Sequence, residues 1–230
     1  MRDRLAERGF SGRVPVFPLP NVVFFPGVAL PLHVFEPRYR KLLEDAVAGE
    51  KLIALATLLP GWEKDYEGAP AFHPLATIGQ VENVERLPDG RSNIMLVGLE
   101  RAQLEEEFTD LPYRLAAARV VPDRAVASEE DPELLDLKLR LLVTFAYCSQ
   151  IGREADVPLA YPSVETPFET VVHTICQTMD VPVVQRLRAL EMAGPLERAP
   201  LARGWLAARL DAVLVERGLP RLSLLEAERN

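Results

Sequence analysis

Between Val14 and Val121 the apolar residues fall in short runs separated by turn signals, whereas beyond Pro132 they recur every three or four positions. The first pattern is that of strands and the second that of helices. In the first half, "KLIALATLL" (Lys51 to Leu59) is a continuous apolar run of strand length, and Tyr113 to Val121 reads as another strand. "ATIGQVENVERL" sets Ile78, Val81 and Val84 among polar residues, with Gly79 a candidate bulge. Asp89-Gly90 predicts a two-residue type I′ hairpin turn, which requires positive φ at both central positions. Several short strands with such turns predict a small barrel or sandwich. One helix interrupts them. It runs from Pro37, suited to a first helical position, to Gly49, expected to end the helix in a left-handed conformation. Tyr39, Leu42, Leu43, Ala46 and Val47 form its apolar face, which should plug or cover the barrel.

After "VPDRAVASEEDPE" the helical period takes over. Asp131-Pro132 reads as a cap followed by a first-turn proline, and Leu134, Leu137, Leu141, Phe145 and Cys148 line one face up to Gly152. A polar, proline-bearing loop follows. Thr166 and Glu169 have capping-box spacing ahead of a stripe made by Phe168, Val171, Val172, Ile175, Cys176 and Met179. Two further helices are predicted, Pro182 to Ala193 and Pro200 to Arg217, their ends marked by Gly194-Pro195 and by Gly218. The second half thus reads as a four-helix packet. The division expected is a β-rich part at 13–122 and a helical part at 130–220.

Val14 to Arg40 stands apart, with six prolines and four phenylalanines in "VPVFPLPNVVFFPGVALPLHVFEPRYR". Each proline removes a ladder donor, so the stretch cannot be one long central strand. The expected path is an edge strand at "VPVF", an ordered loop at "PLPNVVFFPG", a second strand at "VALPLHVF" and the start of the helix at "EPRYR". Val22, Val23, Phe24 and Phe25 cannot all point inward from extended backbone, because side chains alternate faces. Burial of this loop in the core is the preferred reading. An exposed contact patch at Val23, Phe24, Phe25 and Pro26 is the alternative, and it makes those four the candidate peptide-binding residues.

Composition narrows the function classes. Of 230 residues 48% are hydrophobic and 26% charged, which suits a globular protein. The formal net charge of −8 argues against nucleic acid or an anionic membrane surface as the main partner. The densest basic cluster, Arg38, Arg40 and Lys41, is interleaved with Glu36, Glu44 and Asp45. Two cysteines are too few for a disulfide framework, the N-terminus "MRDRLAERGFSGRV" has no apolar core for a signal peptide, and the apolar stretch "LLVTFAYCSQI" is too short for a membrane span. A cytoplasmic location is expected.

Two blocks carry a family resemblance. "VFPLPNVVFFPGVALPLHVFEPRYRKLLEDA" closely resembles the opening of the Lon N-terminal (LON substrate-binding) domain family, with its proline-leucine pair, Val-x-Phe-Pro-Gly turn and Phe-Glu-Pro-Arg-Tyr element. "IGQVENVERLPDGRSNIMLVGLERAQL" matches, in the expected order, the family's Pro-Asp-Gly hairpin and Gly-x-x-Arg elements. The resemblance is strong from Arg13 to Val121 and weaker through the helical half. It implies an α+β fold, a PUA-like pseudo-barrel with one inserted helix followed by a helical bundle. It also implies a role in recognising unfolded or tagged polypeptides and in supporting assembly, without chemistry of its own.

The motifs of the family's motor are missing from the chain, which has no Gly-Lys pair for a phosphate-binding loop. No enzyme activity, cofactor or metal is expected. His33 reads as a packed or hydrogen-bonded strand residue. His173 and Cys176, even with Cys148 nearby, lack a fourth zinc ligand, and both cysteines read as small buried apolar residues. Glu105, Glu106 and Glu107 form a solvated charge run. The motif residues Glu36, Arg38, Tyr39, Gly90 and Arg101 read as scaffold in preference to peptide contacts. The expectation is therefore a non-catalytic polypeptide-binding module, an adaptor or chaperone-like factor for unfolded or apolar segments. The alternatives are an assembly protein that binds one folded partner or itself and, less favoured, an RNA-binding module.

Overall fold

A computed structural model describes Leu5 and residues 9–65, 68–107, 109–151 and 162–219. Among these residues six strands and five helices follow in chain order: β1 (Arg13–Leu19), β2 (Ala29–Val34), α1 (Pro37–Ala48), β3 (Leu52–Thr57), β4 (Leu75–Arg86), β5 (Ser92–Glu107), β6 (Arg114–Val120), α2 (Pro132–Ile151), α3 (Phe168–Thr178), α4 (Val183–Glu191) and α5 (Pro195–Glu216). A short 3-10 turn occupies Trp62–Asp65. Two compact units result, one comprising Met1–Asp123 with Val183–Glu191, the other Arg124–Pro182 with Met192–Asn230.

In the first unit the sheet order is β2-β5-β4-β3-β1-β6, and β6 also pairs with β5, so five strands curl into a ring with β2 outside it. This is the α+β pseudo-barrel with an inserted helix that the sequence predicts. β3 is buried on both faces, which is why its sequence is continuously apolar. Ile53 and Leu55 face a core cluster with Phe17, Phe24, Leu96 and the α1 residues Tyr39, Leu42 and Leu43. The alternate residues Leu52, Ala54 and Ala56 face a second cluster with Val14, Val16, Ile78, Leu104 and Ala116. Helix α1 therefore covers one face of the sheet, by the face its spacing predicts.

β1 is not an edge strand. It pairs in parallel with β3 through Val16 to Leu19 and antiparallel with β6 through Arg13 to Val16. The stagger accommodates its prolines, because Pro15 has a neighbour only on the β6 side and Pro18 only on the β3 side. Gly79 sits at an irregularity, as its spacing suggests: Ile78 pairs with Glu100 and Gly79 with Gly98, leaving Leu99 extra on β5.

Local chemistry corrects several expectations. The β4–β5 turn is not type I′, since Gly90 has φ +81° while Asp89 is not in the positive region. Hydrogen bonds from Gly90 N to Leu87 O (3.0 Å) and from Leu87 N to Arg91 O (2.8 Å) close a three-residue loop, with Pro88 fixing the first central position and Gly90 the left-handed one. Gly49 does not take the left-handed conformation after α1; its φ is −105°, and Lys51 carries the positive φ.

In the second unit α5 packs against both α2 and α3. Asp131 caps α2 as expected, its Oδ1 accepting from Glu133 N at 2.9 Å and Leu134 N at 3.1 Å. The predicted helix end at Gly152 and most of the loop after it lie outside the described residues. No capping box forms at Thr166. Its hydroxyl accepts from Ser163 N, and the Glu129 carboxylate accepts from Phe168 N at the start of α3. Helix α5 begins at Pro195, with Gly194 as its N-cap, so Gly194-Pro195 opens this helix and Pro200 lies inside it. Helix α4 belongs to the β-rich unit, which leaves α2, α3 and α5 in the helical one.

Candidate functional site

The middle of the loop between β1 and β2 is interior. Val23 and Phe25 are fully buried and Phe24 is 1% exposed, and Pro26 is buried with them. None of these four predicted peptide contacts presents surface; the core reading holds and the contact-patch reading of them falls. Two threonines explain how an irregular backbone can be buried. Thr57 Oγ1 donates to Val22 O and Thr77 Oγ1 to Phe24 O, both at 2.6 Å, satisfying carbonyls that no strand reaches. Gly98 completes the fit, because a Cβ there would overlap the Phe25 carbonyl oxygen where the loop crosses β5.

The motif residues around α1 hold one another. Arg38 Nε donates to Glu36 Oε2 at 3.0 Å, and its guanidinium lies 4.8 Å from the centre of the Tyr39 ring. Tyr39 stacks on Phe17 at 4.2 Å between centroids. Arg38 and Tyr39 also edge a cleft of about 250 Å³ with Pro70, Leu111, Tyr113 and Arg114. Arg114 is occupied there, paired with both oxygens of Glu106 and donating to Pro70 O at 2.6 Å. Tyr113 donates to Asp45 Oδ2 at 2.8 Å; burial and then this bond push the phenol up to about 12.

Arg101, the arginine of the second motif, is 2% exposed and acts at longer range. It pairs with Asp123 Oδ1 at 2.6 Å and donates to Leu190 O at 2.7 Å, fastening the C-terminal end of α4. Two further contacts tie α4 to the same unit: Arg186 Nη2 donates to Asn21 O at 3.0 Å, and His73 Nε2 lies 3.2 Å from Glu191 Oε1.

Held in this way, α4 forms one wall of a second, roomier cleft. The cleft is about 500 Å³, with Leu58, Leu59, Pro60 and Trp62 on one side and Val183, Val184 and Leu187 on the other. Glu63, His73, Arg188 and Glu191 ring it. Val184 is 56% exposed, and Trp62 and Leu187 are half-buried. Apolar walls with charges at the margin suit an apolar side chain carried on a polar backbone. The sequence reading missed this site. Its one local signal was a tryptophan in the otherwise polar turn "PGWEKD".

The remaining candidates are structural. His33 Nδ1 lies 2.7 Å from Asn93 Oδ1 on the neighbouring strand, and His173 Nε2 lies 2.6 Å from Arg198 Nη1 inside the helical unit. Both cysteines are free and buried, and burial raises both thiols, Cys176 to about 12. Among the described residues there is no group of three or more histidine, cysteine or acidic side chains that could hold a metal ion. No helix among them is long and apolar enough to cross a membrane.

Residues 13–208 match the family described as the ATP-dependent protease La (LON) substrate-binding domain. The chain belongs to this family. Curated relatives of the LON domain chain include the Lon proteases of Anaeromyxobacter dehalogenans, 28% identical over 77% of this chain and 21% of the relative, and of Flavobacterium johnsoniae, 26% identical over 81% and 23%. It therefore spans less than a quarter of the length of these two. Solved LON domains share its fold. A Lon N-terminal domain protein from Xanthomonas campestris superposes with a TM-score of 0.58 at 22% identity, over 84% of this chain and 98% of that one. The N-terminal domain of Mycobacterium avium complex Lon protease superposes with a TM-score of 0.61 at 20% identity, over 85% and 98%.

Proposed function

We propose that this chain is a non-catalytic polypeptide-binding module, and that it grips apolar side chains of extended segments in the cleft between the Leu58–Glu63 turn and α4. The family description supports the class of ligand. The observation that carries the location is the wall of solvent-accessible apolar side chains, Trp62, Val184 and Leu187, set on the turn after β3 and on a helix that Arg101 holds in place. Burying one large apolar side chain there would contribute about 2 kcal/mol, enough for weak, sequence-tolerant capture when two or three are engaged. An adaptor or chaperone-like role follows, since a module of this kind presents a segment without altering it.

A second reading, docking on one folded partner or on another copy, draws on a different surface. Leu135, Leu139, Val143 and Tyr147 form a solvent-facing row along α2, with Val143 68% exposed. Sedimentation of the purified chain with and without Val143→Glu would reveal self-association through that row.

The test of the first reading is a fluorescence titration with a permanently unfolded, dye-labelled model protein. Saturable binding is expected, weakened at least about fivefold by Trp62→Ala and by Val184→Asp, in line with losing one well-buried contact. Val184 is exposed, so Val184→Asp should melt close to the unaltered protein, and it carries the test where Trp62→Ala, which truncates a half-buried ring, costs stability. No saturable binding, or binding indifferent to both substitutions, would overturn the proposal.

A further inference from the structure

A smaller cleft, about 150 Å³, opens where α1 meets the β4–β5 hairpin, and it differs in chemistry from the apolar one. Arg40, Leu43, Glu44 and Val47 line it from the helix, and Val84, Arg86, Leu87, Gly90 and Ser92 from the hairpin. The neighbouring cations are all neutralised: Arg38 by Glu36, Lys41 by Asp45 and Arg91 by Asp89. Arg40 and Arg86 are different. Among the described residues neither guanidinium has an ion pair or a side-chain hydrogen bond. Glu44, one turn along from Arg40, lines the same cleft without pairing with it.

Two arginines without an ion pair, Arg40 half-buried and Arg86 exposed, line one small cleft in a chain with 34 acidic and 26 basic side chains. Arg40 is half-buried and its guanidinium rests against Gly90, where a Cβ would overlap Nη2. The glycine that the turn needs for its left-handed φ thus also makes room for the cation. Guanidinium groups bind carboxylates through paired, charge-assisted hydrogen bonds, and an arginine held in place loses less freedom in doing so. Leu43, Val47, Val84 and Leu87 supply an apolar lining beside the two charges.

We infer that this cleft is a carboxylate-binding subsite for the bound polypeptide, and that it takes an acidic side chain or a chain terminus flanked by an apolar residue. The inference rests on the polypeptide-binding reading above. It adds a preference for anionic segments that the apolar cleft cannot provide.

Three peptides with the same N-terminal dye test it by fluorescence anisotropy. One ends in two leucines with a free carboxylate, the second is its C-terminal amide, and the third is an amide with one aspartate between leucines. Either charged peptide should bind about tenfold more tightly than the neutral amide, the yield of one charge-assisted contact. The charged peptide that benefits identifies the source of the carboxylate. Arg40→Gln and Arg86→Gln should each cut that advantage to less than about threefold, with part of it kept in Arg40→Lys. Equal binding of all three peptides, or an advantage that survives both glutamine variants, overturns the inference. If the neutral amide binds in a Trp62-dependent way while charge gives no advantage, only this inference fails. If only the charged peptides bind, and do so through Arg40, it is the apolar-cleft reading that fails.

Discussion

Phe24 illustrates how one side chain can look like a contact and serve as core. It packs among Phe17, Ile53, Leu96 and the apolar face of α1, and its carbonyl is satisfied by Thr77. Phe24→Ala should therefore cost about 3 to 5 kcal/mol in urea unfolding, as emptying an aromatic site in a packed core does. A substitution that left stability unchanged would mean the loop is not buried. Tyr113 gives a pH signature. Its folded-state value is raised to about 12 from the ordinary 10.0, first by burial and then by its bond to Asp45. A raised value means the folded state holds the proton more tightly. The stabilisation is complete below pH 10 and is lost as pH climbs to about 12. Thermal melts across that window should fall more steeply for the native protein than for Tyr113→Phe. Cys148 and Cys176, both buried with raised thiols, should resist a thiol-reactive dye until denaturant is added.

At the scale of elements, α4 and α5 show why helix boundaries are hard to read. Gly194-Pro195, read as the end of one helix, instead opens the next, because an extended N-cap followed by proline at the first helical position is also a start signal; α4 has already ended at Glu191. Pro200 then falls inside α5, where it cannot donate to the carbonyl four residues back. Pro200→Ala should stabilise the helical unit, by up to about 3 kcal/mol from helix propensity alone. A drop in the unfolding midpoint would contradict this. The α1 stripe and the Asp131 cap were legible because each depends on residues within two turns of one another. The type of turn at Asp89-Gly90 was not, because Pro88 lengthened the loop by one residue.

For the molecule as a whole, what could be read from sequence was what local pattern and motif order encode: the pseudo-barrel, the inserted helix and the family. What could not be read was assembled by contacts far apart in the chain. The burial of Val23 to Pro26 depends on Thr57, Thr77 and Gly98. The apolar cleft depends on Arg101 reaching Leu190, 89 positions away. Arg101→Ala removes one partner of a buried ion pair, so it should cost about 3 kcal/mol. It should also weaken polypeptide binding, although Arg101 is not among the residues that line the cleft.

Amide chemical-shift mapping during titration with an apolar peptide probes the central claim directly. Resonances of Leu58 to Glu63 and Val183 to Glu191 should move together and saturate together, while those of Val23 to Pro26 stay still. Shifts that cluster elsewhere, or none at saturating peptide, would contradict the account.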